Sequence, residues 1–127
     1  MQDRVLYEYA VIRVVPRVER EEFLNVGIVL YGASAKFLRV CFILPESKLK
    51  LLAPHLEIAE VAEHLEAFER IAKGEPTAGP IAMLPVPERF RWLTATRSTI
   101  VQTSKVHTGF CRQYNEEAER LFRQMVL

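Results

Sequence analysis

Residues 5–44 read VLYEYAVIRVVPRVEREEFLNVGIVLYGASAKFLRVCFIL, and the alternation within this stretch decides the fold. From Val5 to Val15 the residues are β-branched and aromatic, interrupted at Glu8 and Arg13. Pro16 closes the run because it cannot donate to a strand ladder. The charged segment Arg17 to Glu22 reads as a hairpin loop. Phe23 to Tyr31 follows as a second strand, with Leu24, Val26, Ile28 and Leu30 on one face and Asn25 and Gly27 on the other. After a tight connection through Gly32, Ala33 and Ser34, Phe37 to Leu44 places Leu38, Val40, Phe42 and Leu44 together, with Arg39 and Cys41 opposite. The expectation is an antiparallel meander.

An aliphatic sheet face needs a cover, and the next segments supply helices. Ile58, Val61, Ala62, Leu65, Phe68 and Ile71 recur at three- and four-residue spacing, with glutamates over much of the remaining circumference. Gly74 is a natural stop, and a shorter helix from about Glu46 to Ala53 precedes, ended by Pro54. Glu75 to Pro87 carries Pro76, Pro80, Pro85 and Pro87 and reads as an extended connector with little regular structure. A last helix starts at about Asn115 and buries Ala118, Leu121, Phe122 and Met125. The fold expected is α+β: a small antiparallel sheet, the three-stranded meander plus one C-terminal strand, covered on one face by helices, in a single domain over residues 1–127.

At 127 residues, a chain buries roughly two thirds of the surface it exposes when unfolded. Seventeen Lys and Arg against sixteen Asp and Glu leave a formal charge of +1. There is no global excess to hold a polyanion, so nucleic-acid binding is not expected and any anion affinity must come from local clustering. The two cysteines, Cys41 and Cys111, lack the paired spacing of a metal site or disulfide framework, and two reduced thiols in a cytoplasmic protein are expected. The N-terminal run, broken by Arg13, fits neither a signal peptide nor a membrane span. No metal and no cofactor are expected.

Local clustering occurs between Glu88 and Gly109, ERFRWLTATRSTIVQTSKVHTG, where Arg89, Arg91, Arg97 and Lys105 face the single acid Glu88 amid Ser and Thr hydroxyls. Guanidinium groups and hydroxyls are phosphate and carboxylate donors, Arg through its planar fork. Alternatively, Ser98 to Ser104 is an edge strand whose Thr and Ser side chains simply face solvent. Trp92 reads as a core or interface anchor, since a lone aromatic is a weak base-stacking signal. A hairpin closed symmetrically about its loop sets Arg13 opposite Asn25 and Val11 opposite Gly27, making a polar patch that the donor-rich block can approach.

Catalysis has thinner support. His107 is a candidate proton carrier, yet no carboxylate beyond Glu88 lies in the block and no nucleophile elbow or phosphate loop occurs. His55 and His64 fall in or beside helices. Glu19, Glu21 and Glu22 offer oxygen ligands that suit a cation, but a charged hairpin loop is ordinarily just solvated. A non-enzymatic binding or partner protein is therefore the first expectation, and a small enzyme acting on a phosphate-containing metabolite or nucleotide, with Arg97 and Arg13 as clamps and His107 converging on them, is the alternative. An unprotected sheet edge also allows self-association.

The segments VIRVVPRVEREEFLNVGIVLY and FRWLTATRSTIVQTSKVHTG together resemble the bacterial family catalogued as domain of unknown function 3037. The resemblance runs from about Tyr7 to the final helix. It implies a candidate partner or regulatory protein, since family members are encoded beside a HipA-like kinase, and it implies no activity. The family pattern falls on Arg13, Pro16, Arg20, Glu22, Phe23, Asn25, Val26 and Gly27, and on Trp92, Arg97, Ser98, Thr99, Gln102, His107, Thr108 and Gly109. The candidate binding surface comprises Arg13, Arg20, Asn25, Gly27, Trp92, Arg97, Ser98, Thr99, Gln102, His107 and Thr108, for a protein partner or a phosphate-containing ligand.

Overall fold

Three apolar runs, separated first by the charged loop after Pro16 and then by the small-residue turn at Ala33–Ala35, fold into the expected meander. The computed structural model describes residues 3–127. Strands β1 (Val5–Val14), β2 (Leu24–Gly32) and β3 (Phe37–Phe42) pair antiparallel in chain order. On the other edge of β1 lie two further antiparallel strands, β4 (Val101–Thr103) and β5 (His107–Cys111), so the sheet runs β3-β2-β1-β4 with β5 also on β1. The α+β class and the antiparallel sheet are as expected.

The single C-terminal strand expected over Ser98 to Ser104 is instead two short ones. Thr103 faces Ile12 and His107 faces Tyr9, so the β4–β5 side carries one extra residue there. Ser104 absorbs it. Its N–H donates to the Val11 carbonyl (2.8 Å), while its hydroxyl accepts from the Val11 N–H (2.8 Å) and donates to the Lys105 carbonyl (2.9 Å). A side-chain oxygen thus stands in for the ladder carbonyl that the bulge displaces.

Helices cover both faces of the sheet, where one was expected. On one side α1 (Glu46–Leu52), α2 (Ile58–Lys73) and α3 (Val86–Leu93) bury Leu49, Val61, Leu65, Phe68, Phe90 and Leu93 against Ala10, Ile12, Val14, Val29, Tyr31 and Val40. On the other, α4 (Tyr114–Met125) packs Tyr114, Ala118 and Leu121 on Tyr7, Ile28 and Leu30. The reason lies in β2, where Ile28 and Leu30 alternate with Val29 and Tyr31, all buried. A strand apolar on both faces requires two covers.

The same strand corrects the expected register. Arg13 does face Asn25, but Ile12 faces Gly27 and Val11 faces Ile28, with the irregularity between Ile12 and Arg13 leaving Val26 unmatched. Leu24 and Val26 consequently turn toward α1–α3, while Ile28 and Leu30 turn toward α4.

α2 ends in a Schellman motif: Gly74, at φ 71°, donates to the Ile71 carbonyl (3.0 Å), and the Glu75 N–H donates to that of Arg70 (3.1 Å). The segment expected to be irregular, Glu75 to Pro87, contains two 3-10 turns, Pro76–Ala78 and Pro80–Met83, and the start of α3. Proline is tolerated in a first helical turn because its missing N–H had no helical partner there, so Pro87 begins the helix instead of excluding it.

Arg89, the first cation of the donor-rich block, is consumed by this arrangement. Its Nη1 donates to the carbonyls of Ile71 (3.1 Å) and Ala72 (2.9 Å) at the end of α2, and its Nε to that of Leu84 (2.9 Å). A cation on the last carbonyls of a helix also favours the helix dipole. Cys41 and Cys111 are both free, with burial pushing each thiol above its ordinary range. Among the described residues no helix is long and apolar enough to cross a membrane.

Arg89→Ala removes charge-assisted bonds to the Ile71, Ala72 and Leu84 carbonyls. The expected loss in urea unfolding is about 2–3 kcal/mol, whereas the exposed neighbour Arg91→Ala changes stability by no more than about 0.5 kcal/mol. Equal effects of the two variants would contradict the latch.

Candidate anion-binding site

The expected polar surface divides between the two faces of the sheet. Arg13, Asn25 and Gln102 form a cross-strand row, since Arg13 faces Asn25 on β2 and Gln102 on β4. This row lies on the α4 side, where Asn25 Nδ2 donates to the Met125 carbonyl (3.2 Å) at the helix end. The block therefore meets Arg13 as a paired strand, through Gln102. The Arg13 guanidinium stands 3.9 Å over the Phe23 ring. Burial pulls its pKa down, and its Nε and Asn25 Oδ1 are buried without hydrogen-bond partners. The space beside Gly27 is filled by β3: a Cβ there would collide with the Cys41 carbonyl and lie 2.9 Å from Phe42 Cβ.

Arg97 stands on the other face. Its guanidinium lies 4.4 Å over the Trp92 ring and 5.4 Å from that of Phe68, and it donates to the Trp92 carbonyl. Stacking between rings fixes the plane of the fork while leaving most of its in-plane donors unused. Burial lowers its pKa, yet a guanidinium keeps its proton throughout the ordinary range. No carboxylate lies within salt-bridge distance of it among the described residues.

Beside Arg97 the chain turns from α3 into β4 and then bulges at Ser104. Between these two turns is a cleft of about 190 Å³, lined by Thr94, Ala95, Thr96, Arg97, Gln102, Thr103, Ser104, Lys105 and Val106. It contains two cations, several hydroxyl-bearing side chains and no acid. Thr94, Thr96, Thr103, Ser104 and Lys105 were not among the candidate binding residues, although Lys105 counts among the cations of the donor-rich block. Only the extra residue at Ser104, invisible before the register is known, marks that position. Thr94 spends its hydroxyl on the Phe90 carbonyl (2.9 Å).

The remaining candidates are elsewhere. Arg20 is bound by its neighbour Glu22 (2.7 and 3.0 Å), which holds the Glu22 carboxyl below its usual range. Thr99 donates to the Val101 carbonyl and Gln102 to that of Thr99 (2.7 and 2.9 Å), so both brace the turn into β4. Ser98 and Thr108 are exposed. His107 is exposed on β5 with its ring 5.4 Å from that of Tyr9, and it lines neither the cleft nor the Arg13 row. Arg13, Arg97 and His107 thus do not converge on one pocket.

A larger hollow of about 670 Å³ beside Tyr7 shows the contrast. Its arginines, Arg4, Arg112, Arg120 and Arg123, are matched by Glu116, Glu117 and Glu119. Arg120 grips Glu117 through Nε (2.9 Å) and Nη2 (2.6 Å), and the Tyr7 hydroxyl donates to the same carboxylate (2.6 Å). Arg120 holds the Glu117 pKa down, while burial, with Glu117 second, pushes the Tyr7 phenol up to about 12.

The molecule thus has an α+β fold, a five-stranded antiparallel sheet with helices on both faces and a small acid-free cleft at one edge. The chain belongs to the family described as protein of unknown function (DUF3037), whose model matches residues 9–126. No curated protein and no solved structure matches it.

The Tyr7–Glu117 contact sets the sign of two pH effects. Because the folded Tyr7 phenol is raised, its contribution is intact below the unfolded value of about 10 and is lost as pH climbs toward about 12. Glu117, depressed, contributes above about pH 4.3 and loses that contribution in acid. The tyrosinate absorbance of the native protein minus that of Tyr7→Phe is expected to show a step near pH 12. A step near 10 would mean that the buried contact is absent in solution.

Proposed function

We propose that this domain is a non-enzymatic recognition module whose cleft beside Arg97 holds one anionic group, a phosphate or carboxylate carried by a protein partner. The observation that carries this is the lining: Arg97 and Lys105 with Thr96 and Thr103, and no Asp or Glu. An anion entering meets no carboxylate, and one of the donors, Arg97, is already stripped of part of its water and oriented by Trp92 and Phe68. Little ordering is then left to offset on binding.

Size favours binding over turnover. Pockets for metabolites and nucleotides run from about 300 to 1,000 Å³, and the cleft offers about 190 Å³. It has room for a single oxyanion presented by something larger. Its lining also includes neither a histidine nor a carboxylate to carry a proton, His107 being elsewhere. The kinase partner implied by the family resemblance is one source of such a group, because kinases and their substrates carry phosphorylated side chains.

Thermal unfolding in inorganic phosphate, against chloride at equal ionic strength, tests this. With phosphate about ten-fold above its dissociation constant, linkage gives about 1.4 kcal/mol, a rise of about 5 °C at this size. Arg97→Gln and Lys105→Ala should each abolish most of the rise. An unchanged response in both variants, or no excess over chloride in the native protein, defeats the proposal.

A further inference from the structure

The two edges of the sheet are built differently. The β4–β5 edge is protected: it is split into short strands, bulged at Ser104, and carries the exposed Lys105. Short strands, bulges and lysines are the devices that stop one sheet from adding to another. β3, at the opposite edge, lacks these three, and its one charge, Arg39, is turned to Asn115 and Glu119 of α4. Its six residues, FLRVCF, run unbroken without proline or lysine, and they are strong strand formers.

The direction of the free backbone groups follows from the pairing. The Ile43 N–H donates inward to the Val26 carbonyl (2.8 Å). Alternation along a strand then turns the N–H and C=O of Leu38, Val40 and Phe42 outward. They open into a groove of about 580 Å³ walled by Glu69 and Lys73 of α2 on one side and by Glu119 and Arg123 of α4 on the other. Its floor is the strand itself, and its walls are helices on opposite faces of the sheet.

We infer that this edge is the contact between two copies of the chain, joined β3 to β3 in a continuous sheet. The charges on the walls carry the choice of a second copy over another occupant. A two-fold axis normal to the sheet at Val40 pairs Leu38 with Phe42 of the second copy and sets Val40 against itself. Such an axis keeps each face on its own side, so α2 meets α2 and α4 meets α4, each antiparallel to its mate. On both helices the groove-facing charges are an acid and a base one turn apart. Antiparallel α2 helices bring Glu69 to Lys73 of the second copy and Lys73 to its Glu69; α4 likewise brings Glu119 to Arg123. Both walls are self-complementary under the one operation. Within a single copy the Lys73–Glu69 contact is long, at 3.9 Å, and Arg123 has no ion pair among the described residues, while Glu119 already meets Arg39 at 3.4 Å and would share its carboxylate between the two arginines.

Charge exchange on α2 tests the arrangement without touching the core, since Lys73 is exposed and Glu69 partly so. Sedimentation of the full chain up to about 1 mM should show a monomer–dimer equilibrium. Lys73→Glu sets Glu69 against a second acid and should weaken association by about ten-fold or more. The swap E69K/K73E restores opposite charges and should return the affinity to within about three-fold of the native value. Exchange of the Val40 amide should slow as native protein is concentrated, because that N–H is bonded only in the pair. A native chain that stays monomeric leaves the edge to an extended segment of some other protein and overturns the inference. So does a dimer indifferent to Lys73→Glu, a swap as weak as the single variant, or a Val40 amide whose exchange ignores concentration.

Discussion

Strand β1 is hydrogen-bonded along both edges, to β2 on one side and to β4 and β5 on the other, and it is packed on both faces. Every other element is placed by that double constraint. A strand so enclosed cannot leave its backbone groups to water, so residues 101–111 must complete its second edge although nearly ninety residues separate them from it. Closing so long a loop costs little more than closing a short one. The bulge at Ser104 is how the mismatch in length between the two sides is absorbed.

The cost of enclosure shows at Arg13, the one charged residue between buried Ile12 and Val14. Its guanidinium is partly desolvated and answered by an aromatic face instead of a carboxylate. Three carboxylates elsewhere have arginine partners: Glu117 in Arg120, Glu22 in Arg20 and Glu119 in Arg39 at 3.4 Å. A chain of nearly balanced charge can therefore still present an acid-free cleft. What distinguishes Arg97 and Lys105 is the absence of nearby acid, which a count of cations along the sequence does not measure.

Elements with one strong period were legible beforehand. The meander, α1, α2 with its Gly74 stop, and the stripe of α4 all follow from spacing, because each buries a face that the pattern displays. Three things were not. Helix α3 hides among prolines that look like breakers until one sits in its first turn. The bulge at Val26 reverses which residues share a face, and no local signal announces it because every residue from Val26 to Tyr31 is equally suited to either side. Arg89 reads like its neighbours as a surface donor, yet its partners are carbonyls seventeen and eighteen residues back. Each depends on a contact distant in sequence, which composition and periodicity cannot register.

The separation of the two surfaces has a mechanical consequence. The cleft lies at the β4 edge and the open groove at the β3 edge, with β1 and β2 between them, so occupying one does not obstruct the other. In a pair joined through β3, the two β4 strands end the extended sheet roughly 34 Å apart, taking a strand spacing of about 4.8 Å. The two-fold axis normal to the sheet puts both clefts on the same side. A single small cleft of this kind, holding one oxyanion, would be a weak site because it engages few groups. Two such clefts held at a fixed separation gain about 10²- to 10⁴-fold on a partner that displays two anions at a matching span, and nothing on one that displays a single group. Selectivity would then reside in the spacing of the anions, with the chemistry of each cleft left general.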